Sequence, residues 1–414
     1  MQLVWLKRDL RTRDHPALDA ALQHGPTAAV YIYEPSLWQQ PEMSAAHLAF
    51  INECLADLRE RLDALRVPLI FRVGEVTGAL GRLHDRLRFS HLWSHEETGL
   101  AVTYERDRAV KRWCRDAGVP WTELPQTGVI RGLTDRDGWA RRWQARMKDA
   151  PLPEPEPQAQ MPDLGDLQLG DLAQPTDLGL KPSSMRGIEG FPVQQGGQSR
   201  ALSLLDSFLN HRGVNYRADM ATPNAGWDAC SRLSTHLAWG SISIRTLHHA
   251  TRERQAELRE LKLKAERDST PVPFDKRWQG SLTSFQGRLR WHCHFMQKLE
   301  TEPEIEHRNM NRAYDGVRTE DPSDWTADER TRFDAWCAGQ TGYPMIDAAM
   351  RCLHSSGWMN FRMRSMLVSF ASYHLWLHWK PTATFLAQHF LDFEPGIHFS
   401  QFQMQSGVTG INTV

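Results

Sequence analysis

The stretch LVWLKRDLRTRDHPAL (Leu3–Leu18) begins as an apolar run and turns into a loop that is first basic, then acidic. Three more short apolar runs follow: AAVYIYE (Ala28–Glu34), PLIFRVG (Pro68–Gly74) and HLWSHEE (His91–Glu97). Between them, Ser44–Leu65 and Glu75–Arg86 repeat apolar residues every three or four positions, and Tyr104–Ala117 does so after the fourth run. Parallel strands need a helical crossover, so this alternation predicts a doubly wound parallel sheet over residues 1–130. No GxGxxG follows the first strand, so the dinucleotide fingerprint is absent.

The next segment changes character. PLPEPEPQAQMPDLGDLQLGDLAQP (Pro151–Pro175) is rich in Pro, Gly and acid, and SSMRGIEGFPVQQGG continues it to Gly197. Residues 131–198 read as an inter-domain connector. From Ser199 the apolar period becomes helical and stays so to the end. The fold class is therefore α/β followed by all-α, with a helical domain over 199–414.

The 414 residues carry 49 Lys+Arg against 50 Asp+Glu, a net charge of −1, so a nucleic-acid face would have to be a local basic patch. No apolar run approaches a membrane span, and MQLVWLKRDLR becomes charged too early for a signal peptide. The 6 Cys are scattered with no CxxC, the pattern of a reduced cytoplasmic protein. A monomer is the expected state. In WHCH (Trp291–His294) the histidines lie two apart on a helix and diverge, so no metal site is expected there.

Two segments carry chemistry. NYRADMATPNAGWDACSRLSTHLAWGSIS (Asn215–Ser243) passes through a turn into Cys230-Ser231-Arg232-Leu233-Ser234 at a helix start. Hydroxyls and free N–H groups there make either an anion site or an ordinary N-cap. TGYPMIDAAMRCLHSSGWMNFRMRSM (Thr341–Met366) reads as turn, helix, turn, helix, and puts Arg362 and Arg364 among apolar neighbours. A buried guanidinium needs an anionic partner.

These stretches, with WLKRDLRTRDHPAL (Trp5–Leu18) and LDFEPGIHFSQFQMQSGVTGINT (Leu391–Thr413), resemble four ordered motifs of the DNA photolyase/cryptochrome family. The resemblance covers nearly the whole chain. It implies FAD in the helical domain and an antenna chromophore, of folate or deazaflavin type, in the α/β domain. It also implies damaged DNA as partner. Tyr216, Ser231, Arg232, Leu233 and Ser234 match positions around the flavin diphosphate. Arg364 and Asp392 match a pair flanking the flavin ring, with Glu394 and His398 further along the same loop. His398 falls where the family places a residue near flavin N5; the alternative is a loop histidine bonded to backbone. Trp291 matches a base-stacking tryptophan. Arg288 falls at a position facing both cofactor and DNA, and Met404 at a DNA-facing one. The implied activity is a deoxyribodipyrimidine photo-lyase, and the other reading is a blue-light photoreceptor.

The sequence also departs from the family pattern. Arg288 stands where dimer-repair members have Glu, and His292 where they have Arg. Phe361 replaces an Asn, Met220 an Arg, and Phe402 and Met404 an aromatic pair. In the electron-supplying Trp chain, Trp379 matches the middle member and Trp325 approximates the outer one, while the inner member is Phe402. Trp376, Tyr373 or Trp358 offer other routes. The sequence stops at GVTGINTV, where family members continue, and the expectation is a truncated or reduced member.

Overall fold

A computed structural model describes residues 1–410. They divide into two compact units. One comprises residues 1–183, 195–202 and 236–246; the other comprises 184–194, 203–235 and the described residues from 247.

The first unit is built on β1 (Gln2–Leu6), β2 (Thr27–Tyr33), β3 (Leu69–Val73), β4 (His91–His95) and β5 (Trp121–Leu124). All neighbouring pairs are parallel, in the order β3-β2-β1-β4-β5. β1 and β2 are buried throughout, which is why their sequences run apolar without alternation. The crossovers are α1 (Pro16–His24), α2 (Pro35–Trp38), α3 (Ala45–Ala64), α4 (Val76–Leu87) and α5 (Ala101–Ala117), with α6 (Trp139–Lys148) beyond the sheet. Leu3, Trp5, Val30, Ile70, Leu80 and Val110 close the core beneath the sheet. The connector keeps mostly irregular backbone but is anchored: Phe71 N–H donates to Leu169 O at 2.7 Å, beside the outer edge of β3.

The loop after β1 is braced internally. Asp9 is fully buried, and its Oδ2 lies 2.7 Å from His95 Nδ1 and 3.2 Å from His15 Nε2. His15 Nδ1 accepts from Leu18 N–H at the start of α1, so its proton sits on Nε2, toward Asp9. Burial pushes Asp9 up, yet the bonds from His15 and His95 outweigh it and hold the carboxyl well below its ordinary range. Burial drives His95 down to about 3. His15 and His95 thus each turn a ring nitrogen toward the one buried Asp9 carboxylate and brace the loop.

The helical part contains α7 (Gln198–Asn210), α8 (Tyr216–Asp219), α9 (Ala225–Ala229), α10 (Ser234–Ala238) and α11 (Ile244–Arg267). Then come α12 (Arg277–Thr301), α13 (Ala327–Ala338), α14 (Pro344–Ser356), α15 (Phe361–Ser369), α16 (Trp379–Ala387) and α17 (Pro395–Gln405). The helical period that runs through FRMRSMLVSFASYHLWLHW is interrupted. α15 passes into a π-helical turn at Phe370–His374, and Trp376 takes a left-handed φ of 56°. Its indole lies under the Arg318 guanidinium at 4.7 Å, a contact that offsets the unfavourable backbone. The final motif, read as a loop, is helical from Pro395 on, with Pro at the first helical position.

Candidate functional site

Arg232 is the centre of the second unit's site. It sits ahead of α10 with φ of 62°, a left-handed conformation uncommon for arginine. Its guanidinium lies between Trp227, 3.9 Å away, and Trp358, 4.0 Å away. The residue is 9% exposed, and its Nε has no hydrogen-bond partner. Burial, aided by the nearby Arg212, pulls its pKa down to about 10, so it is charged at neutral pH. A buried cation without a carboxylate against it fits a site made to receive an anion. The Arg212 guanidinium shapes the loop by donating to Ser231 O at 2.6 Å and also to Cys230 O.

A hydrogen-bonded chain leads away from this point. Trp358 Nε1 donates to Ser234 Oγ at 3.2 Å, and Ser234 bonds Asp392. Arg364 clamps Asp392 bidentately, Nη1 to Oδ1 at 2.9 Å and Nη2 to Oδ2 at 2.7 Å, while its Nε donates to Met359 O. Burial raises the Asp392 carboxyl, but Arg364 and Ser234 prevail and leave it below its ordinary value. Of the two arginines in the FRMR stretch, Arg364 turns inward and Arg362 stays exposed.

The Asp392 geometry has a consequence for stability. A carboxyl whose pKa is depressed on folding stabilises the protein above about pH 4 and loses that contribution as pH falls through its folded value. Asp392→Asn leaves Arg364 without its counter-charge and should lower stability by about 3–5 kcal/mol at neutral pH. Thermal melts from pH 7 downward should show the gap to wild type closing below about pH 4.

Trp291 stands on α12 with 47% of its surface exposed, its ring stacked on Phe295 at 5.7 Å. Arg288, one turn earlier on the same face, is exposed and bonds the buried Tyr216 hydroxyl. Burial, with Cys230 adding, raises Tyr216 to about 12, so the phenol stays protonated. Arg290 is exposed as well. His292 turns the other way, placing Nε2 2.5 Å from Glu394 Oε2. Burial alone would lower His292, but the Glu394 carboxylate raises it to about 10. Glu394 is thus committed to His292, and His294 packs edge-on against Trp291.

The remaining expected residues lie apart from this chain of contacts. His398 is inside α17, 8% exposed; its Nε2 is 2.9 Å from Ala383 O and its ring 4.3 Å from Phe402. It therefore meets a backbone oxygen, and it stands on a helix and not in a loop. Trp379 is fully buried and donates from Nε1 to Asn309 Oδ1 at 2.7 Å. Trp325 donates to Thr319 O. Leu233 is 1% exposed, and Met404 lies half-buried on α17. Trp227, the Ser234 link and the His292–Glu394 pair had no recognisable local pattern in the sequence.

Gly396 permits the close approach of α17 to α12. A Cβ there would lie 2.8 Å from both Met296 Cα and Phe295 O. Gly396→Ala must push these backbones apart and should cost about 1–3 kcal/mol, read as a lowered denaturation midpoint at unchanged m.

An arginine held between two indoles, a carboxylate–guanidinium clamp and an exposed tryptophan thus stand on elements of the second unit. Residues 285–414 match the family model described as the FAD binding domain of DNA photolyase, and residues 2–131 match the DNA photolyase model. A deoxyribodipyrimidine photo-lyase of Halobacterium salinarum is 30% identical over 402 residues, spanning 92% of this chain and 76% of the relative. A cryptochrome DASH of Gloeobacter violaceus is 26% identical over 429 residues, 98% of this chain and 79% of the relative. Among solved structures, a class III photolyase from Agrobacterium tumefaciens superposes with TM-score 0.79 at 24% identity, covering 98% of this chain and 80% of its own. A Synechocystis cryptochrome gives 0.81 at 20% identity, covering 99% and 82%. The chain belongs to the DNA photolyase/cryptochrome family. Its residues 285–414, within the second unit, match the FAD-binding domain of that family.

Proposed function

We propose that the protein is a photolyase that binds FAD and uses light to repair ultraviolet-damaged pyrimidines in DNA. The observation that carries the reading is Arg232: a buried, charged guanidinium with an unpartnered Nε, framed by Trp227 and Trp358, suits a diphosphate. Among the described residues, no helix is long and apolar enough to cross a membrane.

When bound, FAD supplies the light-absorbing ring and the electron that enters the lesion. The chain's own residues do the rest. Arg232, with Ser231 and Ser234 on either side of it, holds the diphosphate. Arg364, fixed by Asp392, would place a positive charge near a bound flavin and would favour its reduced, anionic form. Trp291 presents an indole face on which an extruded base stacks. Arg288, Arg290 and Arg362, all exposed, give the phosphate contacts that a chain of net charge −1 must concentrate locally.

The antenna chromophore finds less support. Open parallel sheets bind ligands outside the strand carboxyl ends, at the switch point, here between β1 and β4. That position holds a buried ionic cluster. Arg106 reaches Glu34 at 3.0 Å, Glu97 at 2.7 Å and Asp107 at 2.8 Å, and lies 4.9 Å over the Trp5 ring. Burial, opposed by Arg106, raises Glu34 to about 7.

A light-sensing role is favoured by one observation. Phe402, 3% exposed, occupies the inner position where the resemblance calls for a readily oxidised Trp. The two readings separate in one experiment. FAD-loaded protein is mixed with an oligonucleotide carrying a single photodimer and illuminated with blue light. Restoration of the intact strand in light but not in darkness supports repair; flavin bleaching with the lesion untouched supports sensing.

A further inference from the structure

We infer that the buried His292–Glu394 ion pair registers the Trp291 stacking surface against the Arg364–Asp392 clamp, making His292 and Glu394 positioning residues for lesion binding. The inference rests on the repair reading above and adds the element that couples substrate surface to cofactor pocket.

The loop Asp392–Glu394 holds two carboxylates, and each meets a cation from a different helix. Asp392 takes Arg364 from α15, and Glu394 takes His292 from α12. The side chains of His292 and Glu394 are 12% and 10% exposed. Glu394 occupies the N-cap position of α17 but makes no side-chain bond to its own helix. Its carboxylate is given to α12 instead. Besides Glu394, the titratable group facing His292 is Cys293, whose Sγ is 3.9 Å from Nδ1.

Geometry makes this contact directional. His292, Phe295 and Met296 lie on one face of α12, and Gly396 of α17 packs against the backbone of the latter two. Trp291 is the residue before His292, about 100° around the helix axis. Pinning His292 therefore sets the rotation of α12 and with it the direction of the Trp291 ring. Apolar residues of the same volume would hold two helices together equally well. A charge pair of this kind adds a defined azimuth, which close contact alone does not.

The test uses the full chain loaded with FAD. Glu394→Gln and His292→Gln remove the charge pair; His292→Lys keeps a cation opposite Glu394. Two readouts are taken. One is the affinity for oligonucleotides bearing a cyclobutane dimer or a (6-4) photoproduct. The other is the fluorine resonance of 5-fluorotryptophan at position 291, assigned with Trp291→Phe. Both neutral variants should retain FAD, shift the Trp291 resonance and bind the preferred lesion about tenfold more weakly. His292→Lys should recover both signals. An unmoved Trp291 resonance in the neutral variants overturns the inference, as does a His292→Lys protein no better than His292→Gln. Loss of FAD in the neutral variants also overturns it, because the pair would then serve general packing. If the wild-type chain binds neither lesion, the repair reading falls, and the fluorine resonance alone decides the role of the pair.

Discussion

Arg232→Met is expected to strip FAD from the protein while leaving the cofactor-free chain at least as stable as wild type. The two effects come from one feature. Without an anion, the Arg232 guanidinium is buried between Trp227 and Trp358, its Nε unpartnered and its pKa pulled down by burial and by Arg212. Replacing such a cation with an apolar side chain of similar reach removes a desolvation penalty. With the diphosphate present the balance reverses, because a charge-assisted bond in a buried site is lost. Truncating one partner of a buried charge pair costs about 3–5 kcal/mol, roughly a hundred- to several-thousandfold in affinity. Titration of cofactor-free protein with FAD, followed by thermal melts with and without it, measures both. A variant that loses stability without FAD and keeps its affinity would show that Arg232 serves the fold.

The second large effect is expected at Trp291. The residue is 47% exposed, so Trp291→Ala removes little from the core. Base–aromatic stacking is worth about 1–3 kcal/mol, so lesion affinity should fall roughly ten- to a hundredfold. FAD content and melting temperature should stay near wild type. Binding isotherms at fixed salt separate this from Arg290→Ala, which should weaken intact and damaged strands alike and flatten the salt dependence. If Trp291→Ala binds damaged strands as wild type does, the stacking surface lies elsewhere.

How much of this was legible in the sequence follows from the range of each interaction. β1 to β4 announced themselves, because a strand buried on both faces must be apolar throughout. β5 did not: Trp121–Leu124 is four residues long and only partly buried at each. α1 was hidden in RDHPAL, where Pro16 serves as the first helical residue and His15 as an unusual cap. α6 lay within what read as connector. The Arg364–Asp392 clamp could be anticipated only through family resemblance, since 28 residues separate its partners. Trp358 reaches Ser234 across 124 residues, and no local spacing encodes that. For His292, the position on α12 was readable, and its diverging direction from His294 followed from helix geometry. Its partner, Glu394, is brought in by the tertiary fold, so no sequence pattern marks the pair.

The substitutions around the stacking surface now have places. Arg288 bonds Tyr216 and stays exposed, so a positive group stands where dimer-repair relatives carry a carboxylate by resemblance. Phe361 is exposed at the start of α15, one residue before Arg362. Both would change the chemistry a lesion meets at this surface.

The central claim is that the second unit holds FAD at Arg232 and uses it on DNA. Its most direct test is the light-dependent repair assay, run with wild type and Arg232→Met side by side under saturating blue light. The account expects wild type to restore a photodamaged oligonucleotide in light only, and Arg232→Met to restore none while remaining folded. Equal repair by both proteins, or FAD-loaded wild type that leaves both lesion types intact, would contradict it.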